Sequence, residues 1–346
     1  MQSRLEMMTS LGQEVCDEER RKADVKGVLL FGSVANGNVH PESDLDIVVI
    51  RARQTKPIKR NKHERKGITV DMWEHSLLSY ESLFRKDWGP SEMFIYSLFL
   101  NILQESNILY DSEGRFRRYK EKALKWSWPQ ACKELIERRW ERGLSTFRGI
   151  KDSFEKLAAM RRLFLVRASG RLLELGRPVS IRNKDYYLIF SKPSIEQSMK
   201  DFKQVFGRIA NQKELEELVK SSLSMFAEEV PEREPWTELG DAQKHLTSGE
   251  LFLVALSLQN GVYYLGCRGL RNRGVSLNEK GYLWPESELE LIEKARDNWP
   301  EFYGIYQRIH NVKSWRLEEV NECFEQIFPD ASAHFCRGYH GCRHVP

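Results

Sequence analysis

Up to about residue 76 the chain alternates short apolar runs with polar breaks, and beyond it apolar positions recur at a helical period. "GVLLFGS" (27–33) is an apolar run ending in a turn, and "DLDIVVIRA" (44–52) is a β-branched run suited to a strand. "ITVDMWE" (68–74) alternates over a third strand. Residues 3–23 read as a polar first helix. "SVANG" (33–37) reads as a helix start or tight turn, and Gly37 and Pro41 punctuate the stretch after it. The basic stretch "KPIKRNKHERKG" (56–67) reads as a loop between the second and third strands, solvated by default and otherwise a contact for nucleotide or nucleic acid. Helical spacing then dominates 90–110, 113–126 and 129–176, the last too long for one helix and expected to fold back near Gly143 or Gly149. Residues 176–187 read as a loop and 194–226 as helix again. "EEVPEREPWTELGD" (228–241), with two prolines and many acids, is the expected linker, and 248–328 is mostly helical. The expected class is α+β: a small α/β domain with a mixed sheet, followed by an all-helical C-terminal region. The expected borders are 1–112, 113–230 and 231–346.

Composition narrows this picture modestly. Of 346 residues, 41% are apolar, enough for sizeable cores. The net charge of +4 suits an anionic ligand without requiring nucleic acid. No long uncharged apolar run exists, so no membrane span is expected, and the polar N-terminus lacks an apolar signal core. Six cysteines scattered over this length suit reduced thiols and a cytoplasmic location.

The chemistry concentrates in "FGSVANGNVHPESDLDIVVI" (31–50). Side chains alternate faces along a strand, so Asp44 and Asp46 share one face while Leu45 and Ile47 enter the core. Two close carboxylates repel unless a cation joins them, and oxygen-only ligands favour Mg²⁺. Asp71 lies on the third strand, with Ile68, Val70 and Met72 on its other face. If the two strands are neighbours, all three acids meet. Glu74 faces the other way and is the weaker candidate. Gly32 permits close approach of backbone to ligand, and Ser33 opens a helical turn whose N–H groups attract phosphate. Phosphate on one side and carboxylate-held Mg²⁺ on the other is what phosphoryl chemistry requires.

Gly32-Ser33, a ten-residue spacer, Asp44-Leu45-Asp46-Ile47 and a lone acid on a later strand together resemble the polymerase-β-type nucleotidyltransferase superfamily. The wording is similar to its minimal and antibiotic-modifying branches, such as the kanamycin and streptomycin nucleotidyltransferases. The resemblance covers about the first third of the chain, which makes 1–112 the catalytic domain. "NILYDSEGRFRRYKEKA" (107–123) resembles the strand-to-helix exit of such enzymes. The resemblance implies that Asp44 and Asp46 hold two Mg²⁺ ions. It implies that Asp71 completes the metal site or helps activate the acceptor hydroxyl, and that Gly32 and Ser33 hold the nucleotide's phosphates.

Other candidates are weaker. Glu134, Glu137, Glu141 and Glu174 read as solvated helix faces rather than a general base. Arg161, Arg162, Arg167 and Arg171 read equally as an anion grip or as surface charge. Trp126, Trp128, Tyr186 and Tyr187 read as packing before base stacking. The tail "HFCRGYHGCRH" (334–344) lacks zinc-finger spacing and is not expected to hold an essential metal. The expected function is therefore Mg²⁺-dependent transfer of an NMP, AMP from ATP, to a hydroxyl of a small, aminoglycoside-like acceptor. The alternatives are an RNA or protein hydroxyl, or a nucleotide-binding regulatory module without turnover. A homo-oligomer is left open.

Overall fold

A computed structural model of the chain describes residues 3–41, 43–53, 58–85, 89, 92–180, 186, 196–206, 208, 210–230, 237–277, 285–329 and 331. The chain divides into two compact units, Met1–Glu134 with Leu172–Val179, and Leu135–Arg171 with Ser180–Pro346. The expected borders at 112 and 230 lie inside these units.

The first unit is built on a five-stranded sheet in the order β3-β4-β2-β1-β5. Its elements run α1 (Arg4–Glu19), β1 (Val25–Phe31), α2 (Gly32–Ala35), β2 (Leu45–Arg51), β3 (Ile58–Arg65), β4 (Ile68–Ser76), α3 (Leu77–Arg85), α4 (Met93–Glu105), β5 (Asn107–Asp111) and α5 (Arg115–Leu124). The sheet is mixed: β2 and β4 are parallel, and the other three pairings are antiparallel. β2 is apolar on both faces because both are covered. Leu45, Ile47 and Val49 join Met8, Leu11 and Val15 of α1, Val28 and Leu30 of β1, and Ile68 and Val70 of β4 in one core. On the other face the ring of His75 meets Phe99 edge-on at 5.3 Å, and its Nδ1 lies 2.9 Å from the Tyr80 hydroxyl.

Two expectations change. The basic stretch 56–67 is not a loop: Ile58–Arg65 is an edge strand, antiparallel to β4. The hairpin turns at Lys66-Gly67, both with positive φ (52° and 71°), which matches the twist of the flanking strands. With almost no apolar side chains, β3 carries no hydrophobic alternation to betray it, and its cations guard the exposed sheet edge. The helical reading of 90–110 also ends early, because residues 107–111 pair with β1 as β5. The strand-to-helix exit into α5 is the reading that matches.

The helical remainder comprises α6 (Gln130–Gly149), α7 (Ser153–Glu174), α8 (Glu196–Phe206), α9 (Gln212–Glu229), α10 (Thr237–Ser248), α11 (Leu251–Asn272), α12 (Pro285–Asn298), α13 (Pro300–Ile309) and α14 (Leu317–Ile327). The long helical stretch folds back at Gly149, while Gly143 lies inside α6. Of the expected linker, residues 231–236 lie outside the described residues, and helix resumes at Thr237. Much of the expected loop 176–187, Tyr187 included, and the whole tail 334–344 also lie outside them. Among the described residues no helix is long and apolar enough to cross a membrane.

Candidate active site

Parallel pairing of β2 with β4 sets Asp46 directly opposite Asp71, and antiparallel pairing sets Phe31 opposite Asp46 on the other side. Asp44 lies two residues before Asp46 and so shares its face. Asp71 is fully buried, at 1% exposure, whereas Asp44 is partly open. The three acids expected from the sequence therefore converge on one sheet face. Glu74 lies on the opposite face, where its carboxylate is 3.4 Å from Arg51 Nε and 3.7 Å from Lys59 Nζ.

Two cations of β3 complete the cluster. Lys62 is the register partner of Asp71. Its ammonium lies 2.9 Å from Asp44 Oδ2 and 3.1 Å from Asp71 Oδ2, so one cation bridges two carboxylates. Arg60 Nε donates to Asp71 Oδ1 at 2.8 Å, and its Nη2 donates to Oδ2 of the same carboxylate. The guanidinium also stacks over Trp73, 4.7 Å from the ring centre. The sequence reading set the basic stretch between the acid-bearing strands but paired neither cation with the acids. The available signal was the turn-forming Lys66-Gly67 pair, which makes the preceding basic run a hairpin arm with Arg60 and Lys62 on one face.

Asp46 stands apart. No hydrogen bond or ion pair to its carboxylate is present among the described residues. Enclosure by the surrounding chain pushes its carboxyl up to about 8, Asp44 and Asp71 push the same way, and Lys62 and Arg60 oppose them. The cluster thus sets three acids against two cations. As the side chains stand, no group of three or more acid, imidazole or thiol side chains among the described residues is spaced around a metal position.

Gly32 abuts this cluster. Its φ is +72°, and a Cβ there would fall 2.3 Å from Asp46 Oδ2. The glycine is therefore required by the carboxylate itself, through both backbone conformation and space. Ser33 follows in α2, a single turn closed by Asn38 N donating to Ser33 O at 2.9 Å. The N–H groups of a first turn have no acceptor within the helix, and so short a helix attracts anions through those donors more than through its dipole.

The remaining candidates lie elsewhere. Arg161 and Arg162 are neither a phosphate grip nor surface charge. Both are buried in the helical unit, Arg161 on His310 at 2.9 Å and Arg162 on Glu288 at 2.5 Å. Arg167, Arg171, Glu134, Glu137, Glu141 and Glu174 are exposed. Trp126 and Trp128 are buried, and Tyr186 is held by Ser169 at 2.5 Å and the Ser180 carbonyl at 2.9 Å.

Residues 11–83 match the family model described as a nucleotidyltransferase domain. This region of the chain is a nucleotidyltransferase domain, of the polymerase-β type. The matched span runs from α1 into α3 and contains Gly32, Ser33, Asp44, Asp46, Arg60, Lys62 and Asp71. A nucleotidyltransferase domain supports transferase activity in general, with transfer of a nucleoside monophosphate. It occupies well under half of the chain, and the helical unit falls outside it. A solved structure, a nucleotidyltransferase-like protein from Exiguobacterium sibiricum 255-15, is similar at 12% identity over 77% of this chain and 78% of that one, with a TM-score of 0.35. No curated protein matches.

Proposed function

We propose that this protein is a Mg²⁺-dependent nucleotidyltransferase that moves AMP from ATP to a hydroxyl of a small-molecule acceptor, for which an aminoglycoside-like compound is one candidate class. The observation that carries this reading is the register of Asp46 against Asp71, with Asp44 on the same face and Gly32 packed on the Asp46 carboxylate. The donor set fits the metal. Three carboxylates are hard oxygen ligands, and a buried carboxyl pushed up to about 8 by enclosure and two acid neighbours is what a divalent cation would relieve.

Asp44, Asp46 and Asp71 would hold the metal. When bound, Mg²⁺ supplies positive charge that neutralises the triphosphate and favours in-line attack. The chain's own groups do the rest. Backbone N–H groups at Gly32 and Ser33 hold phosphate oxygens, and the glycine leaves room for that approach. Asp71 takes the acceptor's proton once Arg60 and Lys62 have left its carboxylate. The 1–112 segment is read as the catalytic domain, 113–230 and 231–346 as helical parts, and the location as cytoplasmic.

The test is incubation with each α-labelled NTP, Mg²⁺ and a cell extract, followed by separation of labelled small molecules from protein and RNA. A labelled small molecule, strongest with ATP and lost in Asp46→Asn, is expected. Label on RNA or protein would replace the acceptor class. Tight nucleotide binding without any transfer would make the chain a regulatory module.

A further inference from the structure

Resting on that reading of the acids, we propose that Arg60 and Lys62 are displaceable counter-ions: they neutralise the metal-site acids in the free enzyme and pass to the nucleotide's phosphates when a divalent cation takes the acids. Lys62 Nζ lies within 3.1 Å of both Asp44 and Asp71, so it already sits where a cation shared by two carboxylates belongs. A divalent ion on those oxygens would meet an ammonium and a guanidinium at contact distance, and like charges so close repel. The cations must move, and their placement allows it. Both extend from β3, an edge strand, with side chains 32% and 40% exposed. The Asp71 carboxylate they hold is 1% exposed and fixed in the sheet, so the mobile partners are the cations.

Direction follows from charge. Once the acids are taken by metal, the released cations need anions, and the incoming polyphosphate is the anion that arrives with the metal. A guanidinium fork and a flexible ammonium are the two side-chain types that grip phosphate oxygens. Trp73 gives Arg60 a platform, at 4.7 Å, on which it can stay while it changes partner.

The test is titration of the full chain with Mn²⁺ alone, read by electron paramagnetic resonance, then with inorganic tripolyphosphate at saturating Mn²⁺, read by calorimetry. Wild type is compared with Arg60→Gln and Lys62→Gln. Removing a competing cation should tighten Mn²⁺ by about fivefold, the scale of a partly exposed ion pair, and weaken tripolyphosphate by about the same factor. Unchanged or weaker Mn²⁺ binding overturns the proposal. Tighter Mn²⁺ with unchanged tripolyphosphate overturns the transfer to phosphate. Lys62→Gln, on the more exposed side chain, carries the test if Arg60→Gln does not fold. Asp46→Asn in the same titration separates the two levels. If it binds Mn²⁺ like wild type, the acids are not the metal site and the functional reading itself fails. If it loses Mn²⁺ while the β3 variants match wild type, only the counter-ion proposal fails.

Discussion

Two regions of this molecule pair arginines with carboxylates, and they do so to different ends. In the helical unit, Arg162 and Glu288 are both buried, at 3% and 0% exposure. Glu288 also accepts from the Tyr306 hydroxyl, while Arg161 bonds to His310 and to the Val205 carbonyl. Two guanidiniums lie around that one carboxylate, and none of the three reaches solvent. On the sheet of the first unit, three acids face two cations. The cations are about a third or more exposed, and one acid has no ion pair among the described residues. An enclosed ion pair is costly to open. On the proposed function, the half-open cluster is where a divalent cation would go, its acids held in check meanwhile by Arg60 and Lys62. Burial and the sign of the excess charge separate the two regions here; the presence of an ion pair does not.

The largest expected effect falls on the unmatched cluster. Asp46→Asn should cut nucleotide transfer by about 10³-fold or more, ~4 kcal/mol of transition-state stabilisation. The melting temperature of the metal-free protein should stay level or rise, because a repelling carboxyl is gone. Labelled-nucleotide transfer and a thermal melt measure both, and near-wild-type turnover would dissolve the contrast. Glu288→Gln should do the reverse. Stranding Arg162 costs about 3–5 kcal/mol of stability by urea denaturation, while turnover per folded molecule stays put.

Asp71 and Glu74 sharpen the comparison within one strand. Asp71→Ala should lower kcat by about 10²-fold, far more than it raises KM for the nucleotide, as expected of a group serving the chemical step. Glu74→Ala removes contacts with Arg51 and Lys59 on the other face, so kcat should be unmoved and stability should fall by no more than about 1 kcal/mol. An active Asp71→Ala beside an inactive Glu74→Ala would reverse which face of β4 does the chemistry.

Gly32→Val sets a side chain against Asp46 Oδ2 at a positive φ, at a cost of about 1–3 kcal/mol. Nucleotide affinity by calorimetry should fall sharply as well, and unchanged affinity would move the phosphates elsewhere.

An effect confined to the pH dependence of stability belongs to His75. Burial among Trp73, Tyr80 and Phe99 lowers its imidazole to about 3. The folded state refuses a proton that the unfolded chain accepts near 6.5, so this contribution is intact above about 6.5 and is lost as pH falls toward 3. Asp46 works the other way, its contribution fading as pH rises toward 8. Comparing the His75→Gln variant with the native chain cancels the Asp46 effect. The substitution should flatten the loss of stability between pH 7 and 5 by about 1–2 kcal/mol in urea melts, and an unchanged slope would show that His75 is not refusing the proton.

How much of this was legible beforehand depends on what each feature is made of. The three central strands were readable because β-branched alternation is written locally: "DLDIVVI" is a strand whose two acids share a face wherever it is placed. The strand-to-helix exit after 107 came from the family resemblance, and a break near Gly143 or Gly149 was readable from the excessive length of one helix. β3 was not, since an edge strand facing solvent needs no apolar period, and only its turn residues marked it. The burial of Arg161 and Arg162 was hidden too. Their partners His310 and Glu288 stand 149 and 126 residues away, and helical spacing alone does not say which face of a helix is covered.

The amino-acid sequence by itself determined the α+β class, the glycine–serine turn and the identity of the three acids, because side-chain alternation and backbone freedom are properties of a few consecutive residues. Tertiary structure alone decided that Asp46 lies opposite Asp71, that its carboxylate leaves Gly32 no room for a side chain, and that Arg60 and Lys62 balance the charge. Those facts depend on which strands become neighbours and in what register. Register is fixed by burying one apolar face against α1, a condition satisfied only when the whole sheet is assembled.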